Sequence, residues 1–273
     1  MVFGLLAYLL WGLFPAFFPL LLPAGPVEIL AHRIVWTAVL MVLVLTALKG
    51  WGELRRASRR TWLLLVTAGV LISANWGIYV LAVNSGHVAD AALGYFINPL
   101  LSVLLAVVFL GERLNRMQLV AVGIATLGVL QLTFLSGQAP VMALGMAITF
   151  GFYGLVKKRV QVSPRASLTA ETLVIAPLGI VYLVWLESTG QGTFFSEGPV
   201  HTTLLVVSGL VTTAPLLLFG MAAKRLPLAT IGMIQYLTPT MQMLWALFVT
   251  QEYLSPARWV GFIIIWVAVA IYL

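Results

Sequence analysis

Apolar runs of about 20 residues alternate with short polar breaks along the whole of this chain. The windows between the breaks lie near 3–22, 28–48, 62–83, 90–110, 117–135, 140–156, 168–186, 200–222, 228–249 and 257–273. A helix needs about 20 mostly apolar residues to cross a hydrocarbon core, and runs of this length exceed what a strand uses. The pattern predicts an all-α polytopic membrane protein with ten transmembrane helices. Met1 to Leu22 could pass for a secretory leader, but it lacks a basic n-region and carries Pro15 and Pro19 where a small-residue cleavage site would stand. It is read as the first helix. Both ends of the chain lie almost flush with apolar segments, so no extramembrane domain is expected.

Composition removes the soluble alternatives. The 273 residues are 62% hydrophobic and 8% charged, against about 45–50% and about 25% in soluble domains. The absence of cysteine leaves no disulfide framework and no thiolate metal site, and neither a metal nor a cofactor is expected. The net charge of +7 does not point to nucleic acid, because the basic residues fall in alternate loops rather than on one stripe. Lys49, Arg55, Arg56, Arg59, Arg60, Arg113, Arg116, Lys157, Lys158, Arg159, Arg165, Lys224 and Arg225 fall on one side, and only Arg258 on the other. Positively charged loops stay in the cytoplasm. Loops 2–3, 4–5, 6–7 and 8–9 and both termini are therefore expected inside, in a bacterial-type inner membrane. The opposite loops carry Asp90, Glu187, Glu197 and Glu252. A basic surface for anionic lipid is the alternative, but topology already accounts for every loop.

An internal repeat divides the chain. Pro99 and Pro239, Glu112 and Glu252, and Leu114 and Leu254 share an offset of 140, as do Gly69 and Gly209, and Ala74 and Ala214. Small slips add Trp11-Gly12-Leu13 against Tyr153-Gly154-Leu155, and Glu28-Ile29-Leu30 against Glu171-Thr172-Leu173. The expected units are 1–137 and 138–273, with five helices each. An odd number of helices makes the second copy enter from the opposite side, giving two inverted five-helix repeats. Many secondary transporters use such repeats to alternate about a midplane site, so solute transport is the expected function.

Particular motifs carry a family resemblance. They are Ala7-Tyr8 with Trp11-Gly12, Glu28-Ile29-Leu30-Ala31-His32-Arg33, Asn75-Trp76, Leu93-Gly94-Tyr95-Phe96-Ile97-Asn98-Pro99-Leu100, Phe109-Leu110-Gly111-Glu112-Arg113, Phe152-Tyr153-Gly154-Leu155-Val156, and Gln235-Tyr236 before Thr238-Pro239. Over nearly the whole length the chain resembles the EamA-type branch of the drug/metabolite transporter superfamily, and within it the RarD proteins. That resemblance implies a ten-helix exporter-like fold with a central cavity. It also implies amino acids, other metabolites or drugs as solutes, and a family link to chloramphenicol sensitivity or resistance. Gln251-Glu252 replaces the Gly111-Glu112 of the first repeat and weakens the symmetry at that turn.

Charges within spans are costly, and few are present. Glu28 and His32 lie one turn apart on one face of helix 2. With Arg33 they are expected to form an outer polar cluster facing the cavity; the plainer reading is an interfacial carboxylate at a helix N-terminus with His32 and Arg33 snorkelling. Glu171, the repeat mate of Glu28, would begin helix 7 on the cytoplasmic side, so the two carboxylates are candidates for gating or proton coupling. Pro99 and Pro239 are expected to kink helices 4 and 9 and free the carbonyls of Tyr95 and Gln235, tolerable where they face a cavity. Asn98, Thr238 and Gln242 add neutral partners, although prolines and small polar residues also serve helix packing. Trp11, Asn75, Trp76, Tyr95 and Tyr236 would wall the cavity, while Trp51, Trp62, Trp185 and Trp259 read as interfacial anchors. Gly123 and Gly128 read as packing surfaces.

Two other classes compete. An intramembrane enzyme needs catalytic groups converging at one depth, and three scattered histidines with no helix-centre carboxylate argue against it. A pore is suggested by Asn98-Pro99-Leu100, but the Asn-Pro pair is not repeated in the second half. No phosphate-cradling Gly-rich loop with lysine is present, so the expected partners are a small-molecule solute and the lipid bilayer, without nucleic acid.

Overall fold

The computed structural model describes residues 1–85, 88–136, 140–251, 253 and 255–273, without the side chains at 83, 88–91 and 136. The Asp90 side chain, Glu252, Leu254 and the expected boundary at 137/138 lie outside the described residues. The helices of seven or more residues among those described are α1 (Val2–Gly12), α2 (Pro26–Ala47), α3 (Arg59–Asn84), α4 (Val88–Leu110), α5 (Arg116–Ser136), α6 (Val141–Arg159), α7 (Pro164–Ser188), α8 (Gly198–Arg225), α9 (Leu228–Ile234), α10 (Leu237–Phe248) and α11 (Pro256–Tyr272). No strand occurs among the described residues.

Local chemistry sets many of the ends. Proline stands in the first turn of α2, α7, α8 and α11, where its missing N–H costs nothing. The Ser163 and Ser255 hydroxyls accept from Ala166 and Arg258. At α5, Asn115 and Gln118 cap each other's backbone N–H at 3.0 and 2.8 Å, a reciprocal capping box. Helix 1 is not continuous. After Gly12 it passes through a short helix, Phe14–Phe17, and a 3₁₀ turn, Phe18–Leu21, because Pro15 and Pro19 withhold two backbone donors.

The expected ninth helix also breaks. Gln235 and Tyr236 donate backbone N–H to Gly232 and Met233 in 3₁₀ fashion, and Thr238 N–H returns to the Gln235 carbonyl at 3.0 Å. That carbonyl is therefore occupied, contrary to expectation. Pro239 is the third residue of α10 instead of a mid-helix kink, whereas Pro99 lies inside α4. Glu171 does not begin its helix either: Ser163 and Pro164 start α7 early and leave Glu171 two turns inside. Lys157, expected in a loop, belongs to the last turn of α6 and is 3% exposed.

Among the described residues, eight segments, α1 with its continuation and α2 to α8, are long and apolar enough to cross a membrane, and α11 is a shorter apolar helix of 17 residues. Their outer faces present large apolar side chains such as Leu63, Leu127, Phe134, Leu178 and Val181. Water-facing surfaces seldom tolerate so much contiguous apolar area, so this is a multi-pass membrane protein. Inside, α2 packs on α7 and α8, α3 on α6 and α7, α4 on α6 and α9, α1 on α8 and α10, and α5 on α11. Glycine permits several of these approaches. A Cβ on Gly209 would meet Trp36 Cβ at 2.5 Å, and one on Gly69 would meet the Glu171 carbonyl at 2.8 Å. Gly128 lies against Ile264 and Ile265, but a Cβ on Gly123 would touch nothing within 4 Å, so Gly123 is not a packing contact.

Gly111 and Gln251 share a positive φ despite the sequence departure, 65° and 54°. Gln251 bears that left-handed conformation at a cost of roughly 1–2 kcal/mol relative to glycine.

Candidate functional site

A cavity of about 490 Å³ lies among α1, α2, α3, α4, α6 and α10. Eight of the ten expected solute-contacting residues line it: Trp11, Arg33, Asn75, Trp76, Tyr95, Asn98, Gln235 and Thr238. Gln242 lines it too, and Pro99 and Pro239 do not. The break between α9 and α10 puts Gln235 on the wall. Thr238 is anchored there by donating to the Tyr8 carbonyl at 2.9 Å. Asn75 donates to the Met146 carbonyl and Thr149 Oγ1 at 2.8 and 3.0 Å, which fixes its orientation against α6. Asn98 Oδ1 and the Tyr8 hydroxyl are buried and have no hydrogen-bond partner among the described residues.

His32 and Tyr236 are placed elsewhere. One residue along a helix turns the side chain by about 100°, so Arg33 faces the cavity while Glu28 and His32 face the loop between α7 and α8. The Glu28 carboxylate accepts from Thr193 N and Oγ1 at 2.7 and 3.0 Å, and Thr193 Oγ1 lies 2.8 Å from His201 Nε2. His32 stacks on Phe194 at 4.9 Å and accepts from Trp36 Nε1 at 3.2 Å. The shared face of Glu28 and His32 was legible; its direction was not. Tyr236 is buried and donates its hydroxyl to the Phe96 carbonyl at 3.2 Å, tying the α9–α10 break to α4.

Several lining residues escaped the sequence reading although their spacing carried a signal. Steps of three and four from Trp11 give Tyr8, Pro15 and Phe18; the step of three beyond Gln242 gives Trp245, and four from Asn75 gives Tyr79. At the end of the cavity nearer the basic loops, Trp11, Phe150, Tyr153 and Phe219 form a continuous ring cluster with centroids 5.4–5.9 Å apart. Beyond it lies a buried polar network. Lys157 Nζ is 2.7 Å from Glu171 Oε1 and donates to Ser167 Oγ at 2.8 Å. Tyr153 donates to Glu171 Oε2 at 3.1 Å, and Ser167 donates to Glu171 Oε1. At the other end the lining runs out to Pro19 and Thr250. Among the described residues no cluster of three or more His, Cys, Asp or Glu could hold a metal ion.

Comparison with known proteins agrees with this architecture. The EamA-like transporter family matches the chain twice, over residues 1–134 and 138–273. Protein RarD of Streptomyces exfoliatus is 46% identical, covering 99% of this chain and 87% of that protein. Protein RarD of Escherichia coli K12 is 39% identical, covering 98% and 92%. A crystal structure 19% identical in sequence superposes with a TM-score of 0.79, covering 99% of this chain and 96% of that one, which speaks for the fold alone. With two family matches and relatives aligned over nearly its full length, the chain belongs to the EamA-like transporter family, as a RarD-type member.

Proposed function

We propose that this protein is a ten-pass secondary transporter that exports a small solute, a metabolite, amino acid or drug-like molecule, across the inner membrane by alternating access. The observation that carries the proposal is the cavity, lined by α1 to α4 and by α6 and α10, closed by rings and an ion pair toward the basic loops and lined out to the opposite end. With the basic loops and both termini in the cytoplasm, this is an outward-facing arrangement. Two inverted five-helix halves, 1–137 and 138–273, are supported by the packing. If α1 to α5 are exchanged with α6 to α11, counting α9 and α10 together, the principal contacts map onto one another: α2–α8 onto α3–α7, α3–α6 onto α1–α8, and α4–α6 onto α1–α10. The pairs α2–α7, α4–α9 and α5–α11 map onto themselves.

In this reading Glu171 and Lys157 latch the cytoplasmic end, and Glu28, through Thr193, tethers an external loop to α2. The carboxylates stand toward opposite ends of the α2–α7 pair, as repeat-related gates would. Alternating access then requires the Trp11–Phe150–Phe219 cluster to part while the external walls close. The test compares metabolites in medium and cytosol of cells overproducing the parent or an Asn98→Ala, Gln235→Ala variant at matched membrane levels. A solute shifted outward by the parent and at least several-fold less by the variant is expected. An unchanged profile in both would sink the export reading, and an equal shift would remove the cavity from it.

A further inference from the structure

The cavity is electrostatically one-sided. Among the described residues its lining holds one cation, Arg33, and no carboxylate. Arg33 is 8% exposed and has no ion-pair partner among the described residues. Its Nε donates to Thr212 Oγ1 at 2.9 Å, while its two terminal nitrogens have no hydrogen-bond partner among them. The guanidinium carbon sits 4.8, 5.0 and 5.6 Å from the ring centroids of Trp76, Phe18 and Phe14. Ring faces attract a cation but do not neutralise it, and a buried charge ordinarily requires a counter-charge. A protein that needed Arg33 only for packing would have gained more from an apolar side chain at this position.

On the reading of the cavity as the solute site, we propose that its solute is an organic monoanion with a flat apolar body, its anionic group held by Arg33. The guanidinium presents a planar fork that matches carboxylates and sulfonates, its Nε bond to Thr212 fixes the fork's orientation, and Tyr79 and Tyr95 in the same wall supply hydroxyl donors. Trp11, Phe150 and Trp245 offer the surfaces for the apolar body. A zwitterion would bring an ammonium group that no lining carboxylate among the described residues receives. An inside-negative potential favours outward movement of a single negative charge by on the order of fiftyfold per 100 mV, so net export of a monoanion needs no coupling ion.

The experiment is calorimetric titration of the full chain in detergent with three probes of fixed charge: 2-naphthalenesulfonate, neutral 2-naphthalenemethanol and trimethyl(2-naphthyl)ammonium. The sulfonate is expected to bind at least roughly tenfold more tightly than the ammonium probe. Arg33→Gln should abolish that preference while changing the affinity for the neutral probe less than about twofold. Arg33→Lys, which keeps the charge and loses the fork, should retain part of the preference and serves if the glutamine variant does not fold. Absence of saturable sulfonate binding, equal or tighter binding of the ammonium, or a preference that survives in Arg33→Gln would each overturn the assignment. Counterflow of a cell metabolite extract in proteoliposomes separates this from the transport reading. Flux restricted to neutral or cationic solutes leaves transport standing and removes the anion site. Sulfonate binding that depends on Arg33, without flux of any solute, keeps the anion site and removes transport.

Discussion

Lys157 and Glu171 stand 2.7 Å apart with side chains 3% and 1% exposed, beyond the aromatic cluster that ends the cavity. Neither charge can be hydrated where it sits, and each satisfies the other together with Ser167 and Tyr153. Removing one partner leaves an uncompensated buried charge, whereas replacing both with apolar residues of similar volume is often neutral or stabilising. Lys157→Met is therefore expected to cost about 3–5 kcal/mol, read as a lowered thermal midpoint in detergent, and Lys157→Met with Glu171→Leu should recover most of it. A single substitution costing less than about 1 kcal/mol would mean that water reaches the pair, and the latch would fail as a seal. The sequence put Lys157 in the loop after helix 6 and Glu171 at the start of helix 7 without pairing them, because only the early start of α7 and the late end of α6 bring them to one level. Arg33 and His32 make a similar point. Adjacent in the chain, they face a cavity and a loop, and only the rotation of α2 against its neighbours decides which is which.

Between elements, contact is limited by backbone approach. Gly209 of α8 lies so close to Trp36 and Thr37 of α2 that the Thr37 hydroxyl donates to its carbonyl at 3.1 Å. Added bulk there would meet backbone as well as a side chain, and overpacking of this kind costs typically 1–3 kcal/mol. Gly209→Ala should lower stability in detergent by about that amount and open the α2–α8 seam. Gly123→Ala, at a helical position with open space, should be neutral or stabilising by up to about 1 kcal/mol, from helix propensity alone. Equal effects at the two sites would contradict the packing. Gly69 and Gly209 were visible as a repeat pair, and both turn out to be close-approach points. Gly123 looked no different in the sequence. Composition cannot distinguish a glycine facing lipid from one facing a helix, since lipid and helix interior are equally apolar.

The whole molecule turns on which end faces the cytoplasm. The chain has no cysteine, so single-cysteine variants can be labelled without background. Arg56→Cys is expected to react with a membrane-impermeant maleimide only after the cytoplasmic side is exposed, and Gln191→Cys in intact cells or spheroplasts. The reverse pattern would invert the proposed topology, and the cavity would then face the cytoplasm. The apolar windows already predicted an all-helical multi-pass membrane protein, and the ten segments and the orientation proposed above rest on those windows and on the placement of lysine and arginine. A bilayer imposes those features on the chain one segment at a time: each run must be long and apolar enough by itself, and each loop carries its own charge. The offset of 140 and the motifs led to the family for the same reason, being linear properties of the chain. What only the tertiary structure decided is relational: the break at Gln235-Tyr236, the burial of Lys157 against Glu171, the turning of Glu28 and His32 toward the loop between α7 and α8, and the placing of the Arg33 cation among aromatic side chains. Each depends on which helix faces which and at what rotation. In a chain apolar on nearly every face, hydrophobic periodicity does not encode that choice, and close packing and the pairing of the few polar groups settle it.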